Sequence, residues 1–294
     1  MPFTHLLLAL LVVFIWGTNF VIIKLGLENF PPFLFATLRF IFSFLPWLFF
    51  VKKPIVNWYA IAGVGILMGV GQFGLLFWAM QKNISAGMAS LVVQAQVFFT
   101  IIMSMFIYCE RPKITQLIAL SIATIGYIIV GWHSAENSQG SATTTLLGLF
   151  TVLLAAFSWS CVNLLIRSVG RVNMLGFMVW SSAYSVPILL ILTVTIEGID
   201  TILISLDQAS WSGWLAVIWQ ALANTLFGFG VWNWLLIRHS IMVVAPTALL
   251  VPMFGIISST WLLNESLPRW KIVSVILVLS GLAFNIYSDR RKNI

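Results

Sequence analysis

An all-α polytopic membrane protein, with ten transmembrane helices arranged as two inverted five-helix repeats, is the fold class that this sequence predicts. Three observations carry the prediction. Of 294 residues, 61% are apolar and only 8% are charged, against roughly 25% charged in a soluble domain, and the mean hydropathy is +1.04; a water-soluble globule is excluded. The apolar residues fall into ten runs, most of them near the 20 or so residues that a bilayer crossing needs. Finally, motifs of the first half recur in the same order in the second.

Taken in order, the runs cover residues 6–26, 33–51, 59–80, 86–107 and 116–132, then 147–166, 174–195, 213–236, 242–263 and 271–287. The first reads as a retained helix rather than a secretory signal. It lacks a basic leading segment and continues through Trp16, Asn19 and Phe20 without a small-residue cleavage site. Lys52 and Lys53 follow the second run, Lys82 the third, and Cys109-Glu110-Arg111 with Lys113 the fourth. Residues 133–145 form the widest break and the only stretch that reads as a linker, with Ser134, Asn137, Ser138, Gly140 and Ser141. Arg167 and Arg171 follow the sixth run, and Glu197, Asp200 and Asp207 lie in or near the loop after the seventh. Arg238 follows the eighth run, and Arg269 and Lys271 mark the start of the tenth.

Charge sets the orientation. With the N-terminus inside, ten basic residues fall on the cytoplasmic face (Lys52, Lys53, Arg111, Lys113, Arg167, Arg171, Arg238, Arg290, Arg291 and Lys292) and four outside (Lys24, Lys82, Arg269 and Lys271). This is a positive-inside bias that places both termini in the cytoplasm of a multi-pass inner-membrane protein. The same rule accounts for the net charge of +7, so nucleic acid is not an expected partner. The two cysteines, Cys109 and Cys161, match no metal-ligand spacing, and no cofactor is expected.

The repeat lies in the order of motifs. Trp16 and Lys24 are eight residues apart, as are Trp159 and Arg167, at an offset of 143. Cys109-Glu110-Arg111 then matches Asn264-Glu265-Ser266, and Gly126 matches Gly281, both at an offset of 155. One insertion between these points reconciles the offsets. The copies occupy residues 1–133 and 146–288. With five helices each, an odd number, they cross the membrane in opposite senses. Inverted repeats of this kind underlie alternating access in many secondary transporters.

The stretches LLVVFIWGTNFVIIKLGLENFPP, TLRF, AGMASLVVQAQVFFTI, CERP and APTALLVPMFG resemble the EamA-domain branch of the drug/metabolite transporter superfamily. Within that branch they resemble the bacterial exporters of O-acetylserine, cysteine and other amino-acid metabolites. The resemblance covers essentially the whole chain. It implies a substrate cavity built mainly from helices 1, 3 and 4 and their counterparts 6, 8 and 9, and leaves the substrate open.

Independently of the resemblance, a polar side chain in the hydrocarbon zone should face a partner helix or a wet cavity. Helix 1 offers Thr18 and Asn19; helix 3, Gln72; helix 4, Ser90, Gln94, Gln96 and Thr100; helices 6 and 8, Ser158, Ser160, Asn163, Gln220, Asn224 and Asn233. Carboxamides donate and accept, so they can hold both ends of a zwitterion without a fixed charge; the competing role for each is interhelical glue. Gln96, Asn19 and Asn163 lead the candidates, with Gln72, Gln94, Gln220 and Asn224 beside them, the last two sharing a face at a spacing of four. Trp16 and Trp159, equivalent in the repeats, are candidate apolar walls, with Trp78, Trp180 and Trp232 as weaker ones. Trp58, Trp211, Trp214 and Trp270 suit the membrane interfaces. Arg39, the one charge clearly inside a span, needs water, a carbonyl or a substrate carboxylate; a structural role is favoured because helix 2 lies outside the presumed cavity. Glycines 65, 69, 71, 228 and 230 allow close helix approach, and Pro252, with Pro246 near it, is a candidate hinge.

Absences narrow the function. No Asp or Glu lies in a predicted membrane core, which argues against a cation antiporter that trades proton for cation on a carboxylate. His5, His133 and His239 lie near helix ends, so a proton relay is not evident. No Ser/His pair, Asp pair or His-rich metal set falls within the bilayer, and an intramembrane enzyme is not expected. The reading is therefore an inner-membrane exporter of small neutral or zwitterionic metabolites, amino acids or their derivatives, working by alternating access. Its partners are a small-molecule substrate and the lipid bilayer. An exporter of hydrophobic drugs or aromatic compounds and a passive channel are the alternatives, and the oligomeric state is unknown.

Overall fold

The computed structural model describes residues 2–108, 114–136, 144–170, 172–239 and 244–290. Among them the chain is all helix, without a strand. The CERP motif at 109–112, Lys113, Arg171, Arg291, Lys292, most of the 133–145 linker and the side chains of Asn233 and Pro246 lie outside the described residues.

The first helix, α1, is Phe3–Leu27, about 37 Å long at 1.5 Å per residue. α2, Pro32–Phe44, starts on a proline, whose fixed φ suits the first helical turn. It ends earlier than its apolar run predicts. Pro46 cannot donate to the helical ladder, and the chain continues to Val51 in successive turns. α3, Trp58–Lys82, is capped by Asn57 Oδ1, which accepts the Tyr59 N–H. Its middle, Leu67–Gly74, is π-helical. α4, Ala86–Ile107, is interrupted at Val93 and Gln94. α5, Ile114–Glu136, runs into the sequence that reads as linker.

The second half opens with α6, Leu146–Val169, capped by Thr145 and stopped by Gly170 at φ 79°. α7, Met174–Glu197, is followed by Gly198 at φ 82° and the short α8, Ile199–Gln208. The sequence reading treats α8 as loop. Its Ile199, Leu203 and Ile204 are exposed. α9 joins Trp211–Ile218, a π-helical stretch Trp219–Phe227 and Gly228–Arg238. α10 passes from a 3₁₀ turn, Ala245–Leu249, into an α-helix, Leu250–Leu262. α11 is Arg269–Arg290.

Seven of these helices are long and apolar enough to cross a bilayer, and Pro32–Phe44 and Thr247–Leu262 are shorter apolar helices. The outer surface carries large exposed apolar side chains, among them Phe14, Ile128, Phe150, Phe157, Leu215 and Ile276. In water such a surface would drive aggregation; against lipid it is neutral, as expected of a multi-pass membrane protein.

Neighbours come mostly from opposite halves. α1 packs on α9 and α10, α6 on α3 and α4, α2 on α7, and α5 on α11. Partly buried carboxylates stitch the ends. Glu197 accepts the Phe33 and Leu34 N–H groups at 2.6 and 2.9 Å, and Glu265 accepts those of Ala86 and Gly87 while pairing with Lys271 at 3.2 Å. The first turn of a helix has free donors and a positive dipole end, so these two acids close α2 and α4 from across the structure. Lys24 does the converse, donating to the last carbonyls of α3 at Met80 and Gln81, 2.9 and 3.0 Å away.

Candidate functional site

At mid-depth α1, α3, α4, α6, α9 and α10 surround a cavity of about 320 Å³, a volume suited to a small molecule. α7 adds Met174 and Met178. Of the residues singled out from sequence, Trp16, Asn19, Gln72, Gln94, Gln96, Trp159, Asn163 and Asn224 all line it. Gln220 does not. It is fully buried and donates through Nε2 to Asn19 Oδ1 at 2.8 Å, behind the wall. The reason is local. Gln220 and Asn224 sit in the π-helical part of α9, where residues five apart, not four, come into line. Thr225 accordingly stacks over Gln220 and donates to its carbonyl oxygen at 2.8 Å, while Asn224 turns to the cavity.

The second carboxamide pair lies on the opposite wall. Asn163 Nδ2 on α6 donates to Gln96 Oε1 on α4 at 2.8 Å and approaches Thr100 Oγ1 at 3.3 Å. Ser160 Oγ donates to the Gln96 carbonyl oxygen at 2.9 Å, so α4 and α6 are joined by both the side chain and the backbone of one residue. The break in α4 at Val93 and Gln94 lies at the cavity, and Val93, Gln94 and Gln96 all line it.

Aromatic rings complete the enclosure. Trp16 donates to the Asn224 carbonyl oxygen at 3.1 Å and packs on Phe229 and Trp232 with centroids 5.3 and 5.2 Å apart. Trp232 lines the cavity, while Trp78 and Trp180 do not; Trp180 donates to the Val51 carbonyl oxygen instead. Trp58 and Trp211 are exposed, and Trp214 is partly buried, packed on Phe30 at 5.3 Å. Ser158 Oγ donates across to the Leu67 carbonyl oxygen of α3, as interhelical glue, whereas Thr18 and Ser90 donate to carbonyls of their own helices.

The cavity is asymmetric along its axis. Towards Lys24 its lining residues Phe20, Ile23 and Leu76 are buried. Near the same end of α1 the rings of Phe35, packed against Gly26, and Phe77 stack 4.9 Å apart, both fully buried. Towards Arg167 the lining residues Ile166, Met174 and Trp232 are partly exposed. Pro252 is buried in the first turn of the α-helical part of α10, directly after the 3₁₀ junction, and is not on the cavity wall.

Arg39 was expected away from the site. It is fully buried against it: Nη2 donates to Thr225 Oγ1 at 2.9 Å, and the guanidinium lies 3.4 Å from the centroid of Phe73, a cavity-lining ring. Neither Thr225 nor Phe73 stands out in the sequence, and no spacing rule pairs helix 2 with helix 8.

Comparison with known proteins agrees in kind. The profile of the EamA-like transporter family matches residues 3–132 and 146–287. A probable amino-acid metabolite efflux pump of Salmonella typhimurium is 37% identical over 287 residues, covering 96% of this chain and 95% of that protein. One of the same name from Escherichia coli is 35% identical over the same shares. A crystal structure at 16% identity aligns over 100% of both chains with a TM-score of 0.60, which shows a shared fold.

Proposed function

The chain belongs to the EamA-like transporter family, and from that premise we propose that it exports small neutral or zwitterionic metabolites, amino acids or their derivatives, across a bacterial inner membrane by alternating access. The observation that carries the reading is the wall of the cavity. Amides from α1, α3, α4, α6 and α9 supply donors and acceptors, tryptophans supply apolar faces, and no carboxylate is among the described lining residues. Such a wall suits a substrate with no net charge. The relatives from Salmonella and Escherichia are named as efflux pumps for amino-acid metabolites, which supports the same class.

Ten transmembrane helices, α1 to α7 and α9 to α11, form two inverted repeats, residues 1–133 and 146–288, with both termini cytoplasmic. Three features support this. The packing is reciprocal: α1 meets α9 and α10 as α6 meets α3 and α4, and α2 and α5 meet their own counterparts. The third helix of each repeat, α3 and α9, contains a π stretch. The fourth, α4 and α10, breaks near its middle or start, at Gln94 and at Leu250. In this orientation the exposed end of the cavity faces the cytoplasm, the side from which an exporter loads.

Purified protein in liposomes should show saturable counterflow of neutral amino acids, measured with and without a pH gradient. Transport of organic cations or aromatic compounds without any amino acid would favour the second reading, which the Trp, Phe and Met walls support. Linear, unsaturable flux would indicate a channel.

The α10 junction is the proposed hinge. In Pro252→Ala a new N–H can donate to the Ala248 carbonyl, continuing the helix across the junction. One added hydrogen bond, about 1 kcal/mol, should slow counterflow roughly fivefold with little change in KM. Unaltered kinetics would remove Pro252 from the moving parts.

A further inference from the structure

We infer that Arg39, covered by Phe73, is a carboxylate-binding subsite of the cavity, and that the ring of Phe73 is the lid over it. The inference rests on the amino-acid reading above and adds a residue that the reading did not use.

The argument begins with donors that have nothing to donate to. A guanidinium carries five N–H groups. In Arg39 one nitrogen, Nη2, reaches Thr225, while Nε and Nη1 are buried without a hydrogen-bond partner among the described residues. The remaining contacts are faces of Phe73 at 3.4 Å and Phe40 at 5.4 Å, which attract a cation but accept no directed bond. Among the described residues the acidic side chains are engaged elsewhere or lie outside this cluster: Glu197 caps α2, and Glu265 caps α4 and pairs with Lys271. An intramembrane arginine is costly unless paired, and the group that matches its planar fork is a carboxylate held by two parallel bonds.

Position says where that carboxylate comes from. Phe73 belongs both to the cavity wall and to the ring stack over the guanidinium, so movement of this one side chain connects Arg39 with the cavity. Phe73 lies in the π-helical stretch of α3, a local irregularity of the kind found at functional sites. Its neighbour Gln72 lines the cavity with a buried carbonyl oxygen, Oε1, that receives no donor among the described residues. An unpaired acceptor on the residue before Phe73 and a cation under the Phe73 ring together form the polar complement of an α-amino acid, with ammonium on Gln72 and carboxylate on Arg39.

The test uses full-length protein in liposomes and measures counterflow of methionine, serine and phenylalanine, each beside its carboxamide, which lacks the anionic end. Wild type should prefer acid over amide. In Arg39→Gln that preference should fall at least about tenfold, the loss of charged hydrogen bonds, whereas Arg39→Lys should retain part of it. Phe73→Ala, which uncovers the guanidinium, should lower KM for the acids relative to the amides. If Arg39→Gln slows acids and amides alike, or Phe73→Ala leaves the ratio where it was, Arg39 is a structural tie between α2 and α9 and the inference fails. Movement of neither acids nor amides by wild type defeats the amino-acid reading itself, a different result from an unchanged ratio. Should Arg39→Gln not yield monodisperse protein, Arg39→Lys and Phe73→Ala decide the question by the same ratio.

Discussion

Replacing Asn163 with leucine should reduce counterflow of neutral amino acids by one to two orders of magnitude. The size follows from where the amide sits. Asn163 Nδ2 bonds Gln96 Oε1 at 2.8 Å on the cavity wall, and both residues are only partly buried, so a substrate can compete for either. Leucine removes a donor that the substrate would use and leaves Gln96 Oε1 without its partner. Against leucine the substrate's own polar group is left unpaired once it is enclosed, which costs about 1–3 kcal/mol and corresponds to roughly 5–150-fold in kcat/KM. The pair behind the other wall behaves differently. Gln220 is fully buried against Asn19, so Gln220→Leu should lower thermal stability as well as transport. Asn163→Leu should act on transport with a smaller effect on melting. Counterflow within twofold of wild type in Asn163→Leu, with a lowered melting temperature, would show that the pair is interhelical glue.

Legibility in the sequence followed the range of the interaction. Membrane class and an all-helical chain are legible in hydropathy because burial in lipid acts residue by residue. The amides of the cavity were identifiable because a polar group in hydrocarbon demands a partner wherever it lies. What sequence spacing missed depends on departures from regular geometry or on contacts between distant residues. Gln220 and Asn224 should share a face in an α-helix, but the π stretch of α9 separates them. α2 ends at Phe44 although its apolar run goes on, because Pro46 cannot continue the ladder. Glu197 reads as a loop acid, yet it closes the first turn of α2 from 164 residues away. Arg39 was visible as an anomaly; its partners, Thr225 and Phe73, were not, since neither is unusual in its own helix.

Two glycines that look alike in the sequence should respond in opposite ways to alanine. Gly65 and Gly230 both lie within apolar helices and both read as sites of close helix approach. A Cβ at Gly65 would fall well inside contact distance of the Ser181 carbonyl oxygen, a backbone atom of α7. The same crossing is held by Ser185 Oγ donating to the Gly65 carbonyl oxygen at 2.7 Å. Backbone cannot swing aside as a side-chain tip can, so α3 and α7 must separate and that bond must lengthen. Overpacking of this kind costs about 1–3 kcal/mol, and Gly65→Ala should lower the melting temperature in detergent by several degrees. Around Gly230 nothing among the described residues lies within 4 Å of the added carbon. There alanine meets open space, and its better helix propensity is worth up to about 1 kcal/mol. Gly230→Ala should therefore melt at or slightly above wild type. Equal destabilisation by the two substitutions would mean that α9 packs more tightly at Gly230 than this conformation allows, as it would if the cavity closes at its Arg167 end during transport. Measuring the pair with and without saturating substrate separates these cases, because closure would penalise Gly230→Ala only in the substrate-bound protein.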